Sequence, residues 1–169
     1  MNATPIPTPR AGELATKIVE AAGDPDTIAS LISEDVTWWI TPSIPAEIME
    51  SVTHGREAMR ENLRRVFSTL YQTGTVRTVV HDVISEGNLG AARWTMTGRF
   101  NNGAPFENDY ALWVEAKDGL VVRVWEYTDM AHSTAQSQAG IQSQQGPADN
   151  SSRTSGCGES ASTHVSVRS

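Results

Sequence analysis

A carboxylate placed inside a strand is the first residue of this chain that calls for chemistry. In RVWEYTDM, residues 123–130, Glu126 stands among Val, Trp and Tyr, and a charge in an apolar layer costs too much to sit there without a partner or a task. Two histidines titrate near neutrality and invite a general-base role. His54 directly precedes a helix, where it can cap, and His81 lies inside a strand, so capping and packing are the expected roles of both. Asp109 and Asp129 fall on an outer face or a strand end, where solvation or capping is the default. His, Cys and acidic side chains at metal-ligand spacing are missing, so neither a metal nor any other cofactor is expected. The tandem Trp38 and Trp39 suit the wall of a pocket for a lipophilic ring system.

These residues must be positioned by an α+β domain. Leu14, Ile18, Val19 and Ala22 recur at helical spacing, and in the following GDPD Asp24 can cap a second helix with Pro25 at its first position. VTWWI, 36–40, reads as a strand, and the Pro-containing stretch from 41 to 55 as a long loop. In GREAMRENLRRVFSTLY, Met59, Leu63, Val66, Phe67 and Leu70 share one helical face, with arginines on the other. Four strand-like runs follow, near 75–85, 90–101, 106–116 and 120–129. The NNG and KDG between the last three supply the positive φ angles of tight turns and predict an antiparallel meander. The order α, α, β, α, β, β, β, β places three N-terminal helices on one face of a curved sheet.

In AARWTMTGRF, Ala92, Trp94, Met96 and Phe100 alternate cleanly with Arg93, Thr95, Thr97 and Arg99. The last two strands instead carry apolar groups on both faces. One face therefore meets the helices and the other a partner, most simply a second copy of the chain.

At 169 residues the chain suffices for one domain with its own core. Its net charge of −7 argues against nucleic acid and anionic membranes as partners, and no run approaches a membrane span. A cytoplasmic location is expected. The single cysteine, Cys157, permits no intrachain disulfide. From residue 131 to 169 the chain has no aromatic residue and few aliphatics, which predicts a disordered Ser/Gln/Gly-rich tail after a domain over 10–130, with a flexible N-terminus over 1–9. That tail is neutral, so the acidic charge belongs to the domain.

GAPFENDYALWV, the DGLVV turn and strand, and the terminal EYTD resemble the closing hairpin of the nuclear transport factor 2-like superfamily, in particular its SnoaL-like branch. The resemblance covers about residues 10–130. It implies a cone-like, curved antiparallel sheet wrapped on the helices, and a family holding ketosteroid isomerases, polyketide cyclases, limonene-epoxide hydrolases and noncatalytic binders. Against the epoxide hydrolases, gapless from residue 90 to 129, the trio that activates water falls on Arg93, Thr95 and Glu126, and its assisting residues on Trp38 and Ile40.

The same comparison implies that Arg93, Thr95, Asn108, Tyr110, Leu112, Val124, Glu126 and Thr128 face a cavity, with Trp94, Met96, Trp113, Trp125 and Tyr127 on the outer face. Glu126 would then pair with Arg93, an opposite charge that keeps it ionised for general-base work. Tyr110 and Asn108 would hydrogen-bond a developing enolate or alkoxide. A structural ion pair is the competing reading of Arg93 and Glu126. The expected function is cofactor-free acid/base chemistry on a hydrophobic, cyclic small molecule, of isomerase, cyclase or hydrolase type, with a noncatalytic carrier of a lipophilic ligand as the alternative.

Overall fold

The computed structural model describes residues 10–44 and 48–144, with side chains as far as Gln138. The expected flexible N-terminus, the tail beyond Gln144 and Cys157 lie outside the described residues.

The first helix, α1 (Ala11–Glu20), buries Leu14, Ile18 and Val19. Asp24 caps α2 (Pro25–Leu31) as its spacing predicts. Its Oδ1 accepts from the Thr27 backbone N–H at 3.1 Å and its Oδ2 from the Thr27 hydroxyl at 2.6 Å. These bonds, the hydroxyl first, hold the Asp24 carboxyl below its ordinary range. Then come β1 (Ile32–Ile40), β2 (Val52–His54), α3 (Arg56–Leu70), β3 (Arg77–Glu86), β4 (Leu89–Arg99), β5 (Pro105–Lys117), β6 (Leu120–Thr128) and α4 (Met130–Gln144).

The six strands make one curved, open sheet in the order β2-β1-β6-β5-β4-β3. Neighbours run antiparallel except β1 and β6, which pair in parallel and place Trp38 beside Val124 and Ile40 beside Glu126. In the KDG turn Asp118 and Gly119 take φ of 52° and 80°, the left-handed backbone that the sequence predicts there.

Helices α1 and α3 cover the inner face. At Gly90 the approach of α1 is so close that a Cβ would stand 2.4 Å from the Ala11 carbonyl carbon, so glycine is the residue that lets helix and strand meet. Ala92, Trp94, Met96, Leu112, Val114, Val121 and Val124 of the sheet pack there with Leu14, Ile18, Met59 and Leu63.

Three expectations are corrected. The stretch 41–55 contains β2, a three-residue edge strand pairing Trp38 with Thr53, too short to show a pattern in sequence. The chain also does not turn into tail at residue 131: α4 runs to Gln144 and docks on β5. It docks by hydrogen bonds, because Gln136 donates to the Glu107 carbonyl at 2.7 Å and accepts from the Glu107 N–H at 2.8 Å. Composition alone could not reveal a helix tied to the sheet by hydrogen bonds to main chain.

The third correction concerns β4. Trp94 pairs with Tyr110 and Ala92 with Leu112, while Arg93 pairs with Ala111, so Trp94 and Met96 face inward and Arg93 and Thr95 outward. The strand's own alternation of apolar and polar residues points this way, and the gapless carry-over is one residue out of phase. The physical reason is solvation: a guanidinium keeps its water on the open face and would lose it on the covered one.

Candidate functional site

Between the inner face, α3, α4 and the segment after β1 lies a cavity of about 280 Å³. Ile40, Ile44, Met49, Leu63, Phe67 and Met96 make most of its wall apolar. Its ionisable lining among the described residues is Glu126, Tyr110 and Tyr71. A larger groove, about 720 Å³, runs between the α1–α2 turn and the end of α3. Its charged groups Lys17, Glu20, Asp24 and Arg64 sit at an open surface, and Glu126 is not on it, so we place the site in the smaller cavity.

Strand β6 carries Glu126 to the cavity floor, half-buried, with its carboxyl on the cavity lining. The parallel neighbour β1 supplies its partner: Trp38 Nε1 donates to Glu126 Oε2 at 3.0 Å. Desolvation pushes the carboxyl up from its ordinary 4.5 to about 7, against the opposing pull of the Trp38 hydrogen bond. Near neutrality Glu126 therefore exists in both protonation states.

On β5, Tyr110 stacks against Trp94 with ring centroids 4.5 Å apart. Its hydroxyl is hydrogen-bonded by Thr128 and Tyr71, with the Asn108 amide beside it. Asn108 Nδ2 donates to Thr128 Oγ1 at 2.7 Å and to the Asp129 carbonyl at 3.1 Å, so the Thr128 hydrogen is left to point at Tyr110. Burial, then the charge of Glu126, pushes the Tyr110 hydroxyl up to about 12. Burial holds Tyr71 protonated still more firmly, with Tyr110 and Glu126 adding to it. The arrangement is a carboxyl that titrates near pH 7 beside two neutral phenols. With its oxygen receiving hydrogen bonds, Tyr110 keeps its own O–H to donate.

The expected site residues separate into three groups. Glu126, Tyr110, Ile40 and Thr128 line the cavity. Trp38, Asn108, Leu112 and Val124 are buried behind that wall on the same face, the first two as hydrogen-bonding support and the last two as packing. Arg93 and Thr95 are not in the site. Arg93 forms a two-nitrogen contact with Asp82, Nε and Nη2 each 2.8 Å from Oδ2, on the exposed face, so the expected pair with Glu126 does not form. Thr95 Oγ1 meets His81 Nε2 at 2.7 Å and donates to Asp109 Oδ1. A bulge at His81 shifts the β3–β4 register between Val80 and Asp82 and turns His81 and Asp82 to the same outer side.

His54 caps nothing. Gly55 is the cap residue of α3, and His54 Nδ1 lies 3.3 Å from Thr37 Oγ1 across β1 and β2. Asp129 does cap, accepting from the His132 N–H of α4 at 3.0 Å. Tyr71 is the member that sequence reading misses. Its signal is the spacing of four from Phe67, which carries the apolar face of α3 one residue past the helix end and into a bridge with Phe100. Among the described residues no group of three or more His, Cys, Asp and Glu is placed to hold a metal ion, and no helix is long and apolar enough to cross a membrane.

Comparison with known proteins adds a family and a fold. The family described as "SnoaL-like domain" matches residues 16–124. A Catenulispora acidiphila protein of ketosteroid isomerase-like fold, solved with trimethylamine, is 18% identical and superposes with a TM-score of 0.62 over 75% of this chain and 92% of its own. IdmH of Streptomyces antibioticus, a candidate polyketide cyclase, is 22% identical, with a TM-score of 0.60 over 76% of this chain and 98% of its own. An epoxide hydrolase of the limonene-epoxide-hydrolase type from M. tuberculosis is 16% identical, with a TM-score of 0.59 over 79% of this chain and 93% of its own. At these identities the likeness is one of fold. No curated relative matches the sequence.

Proposed function

Because the chain belongs to the SnoaL-like domain family, we propose that it is an enzyme of cofactor-free acid/base chemistry on a hydrophobic, ring-containing small molecule, of isomerase, cyclase or hydrolase type. One observation carries this reading: Glu126 is the one carboxyl among the described residues lining an apolar cavity, and its affinity for a proton is raised to about 7. A base and its conjugate acid are then both available at neutral pH, the condition under which proton transfer is most effective. Glu126 takes a proton from carbon beside a ring carbonyl, and the Tyr110 O–H, backed by Tyr71 and Thr128, donates to the oxygen on which negative charge grows. Trp38 holds the carboxyl in place and favours its ionised form.

Solved relatives named for cyclase and epoxide-hydrolase activity agree with this class of chemistry. The epoxide-hydrolase variant is the least favoured, since Arg93 and Thr95 lie on the other side of the sheet. The noncatalytic alternative, a carrier for a lipophilic ligand, draws on the same apolar lining.

Exchange of the α-protons of 2-tetralone in D₂O, followed by NMR, separates the two. The protein should accelerate exchange, and Glu126→Gln should lower that acceleration at least about a hundredfold while 2-tetralone still binds. Equal exchange by both proteins would leave only the carrier.

Two further parts belong to the proposal. Val79, Ile84, Trp113 and Tyr127 are exposed on the outer face, a patch suited to a second copy of the chain in a homodimer. A cytoplasmic location suits a chain whose one cysteine calls for no oxidising compartment.

A further inference from the structure

Helix α4 differs from α3, β1 and β4, which line the cavity with apolar side chains. Met130, Ser133, Thr134, Ser137 and Gln138 line it, at the spacing of a single helical face, yet only Met130 is apolar. Among the described residues no side-chain hydrogen bond within the fold engages the hydroxyls of Ser133, Thr134 or Ser137. The helix is tied down from its other side, by Gln136 to the Glu107 backbone and by Asn102 Nδ2 to the Ser137 carbonyl at 3.3 Å. The family match ends at residue 124, before α4 begins.

A helix that only sealed an apolar cavity would turn apolar residues inward, and this one turns the half-buried hydroxyls of Ser133 and Ser137, with the exposed Thr134 and Gln138 at the mouth. A hydrocarbon ligand would strip water from those groups and give nothing back, whereas a ligand carrying oxygen on that edge would replace the lost hydrogen bonds. Sites built in this way reject the analogue that lacks the polar group.

We infer that α4 is the specificity element of the site, and that the cavity takes an amphiphilic ring compound. Its apolar body meets Met49, Leu63 and Phe67, and its hydroxyl or carbonyl oxygens meet Ser133 and Ser137. The inference rests on the cavity being the ligand site proposed above.

The test uses the full chain carrying Glu126→Gln, so that turnover plays no part, and measures binding of 2,7-dihydroxynaphthalene and 2,7-dimethylnaphthalene by equilibrium dialysis. The two probes share a shape and differ in polar edges. Adding Ser133→Ala and Ser137→Ala should weaken the diol about threefold to tenfold for each hydroxyl removed, and leave the dimethyl compound unchanged or tighter. Gln136→Ala loosens α4 without touching its cavity edge. It should produce the same selective loss, together with faster hydrogen exchange over residues 131–138. A diol that binds equally to all variants, or two probes that weaken in parallel, overturns the inference. Failure of both probes to bind overturns it together with the ligand site. Diol selectivity that survives while Glu126→Gln exchanges 2-tetralone as fast as the unaltered protein leaves the inference standing and removes the catalytic reading alone.

Discussion

Two carboxylates on opposite faces of one sheet are held in opposite ways. Asp82, on the outer face, is exposed and meets the Arg93 guanidinium at 2.8 Å. Glu126, on the inner face, has no cation beside it among the described residues and accepts instead from a neutral indole, Trp38, at 3.0 Å. Water does most of the work of solvating the outer pair, so its direct attraction adds little. On the inner face burial takes away part of that solvation, and the carboxyl is pushed up to about 7. The sheet thus separates two media, and the same functional group becomes a surface ion on one side and a titrating acid on the other.

The sharpest way to break this contrast is to ask how much room each face has. Gly90→Ala adds one methyl to the inner face against the α1 backbone at 2.4 Å, so α1 must move. A loss of about 3 kcal/mol or more in urea unfolding is expected, and a loss below about 1 kcal/mol would mean that the inner face is not packed as described.

Next in size is pH. The folded chain releases the Glu126 proton near 7 and the unfolded chain near 4.5, so between these values the folded state binds more protons. The contribution of Glu126 to stability is fully present below 4.5, is lost as pH rises through about 7, and is constant above it. The loss is up to about 3 kcal/mol, less where cavity water solvates the carboxylate. Glu126→Gln should flatten this slope, and an unchanged slope in the variant would assign it to other groups.

For the outer face, Trp113→Glu should convert a homodimer into monomers at micromolar concentration by analytical ultracentrifugation, with little change in monomer folding. A wild-type monomer under those conditions would remove the dimer. The smallest effect belongs to Asp82→Asn, expected to cost less than about 1 kcal/mol. A cost above about 3 kcal/mol would place that pair in a buried setting instead.

The fold was legible wherever local chemistry decides it. Asp24 and Pro25 mark the start of α2, NNG and KDG the last two hairpins, and the 3.6-residue spacing marks α3. The facing of β4 was legible too, in the alternation of Trp94 and Met96 with Arg93 and Thr95, but position-by-position similarity overrode it, and a shift of one residue exchanges the two faces of a strand. Glu126 stood out as a misplaced charge, while its partner could not be read: Trp38 lies 88 residues away on a strand brought alongside in parallel by tertiary structure. Tyr71 hid as the last residue after a helix. β2 and α4 hid for want of apolar pattern, one because it is short and the other because hydrogen bonds hold it.

The clasp between Gln136 and Glu107 has a consequence for self-association. Strand β6 ends at Thr128, opposite Tyr110, while β5 continues back to Pro105, so β5 overhangs its neighbour and presents a bare rung of main chain at Glu107. A bare rung is a template on which another polypeptide can add as a strand. The Gln136 carboxamide, one donor and one acceptor at main-chain spacing, occupies it as a one-residue counterfeit of the missing strand. Any excursion of α4 away from the body therefore uncovers a sticky seam as well as a cavity.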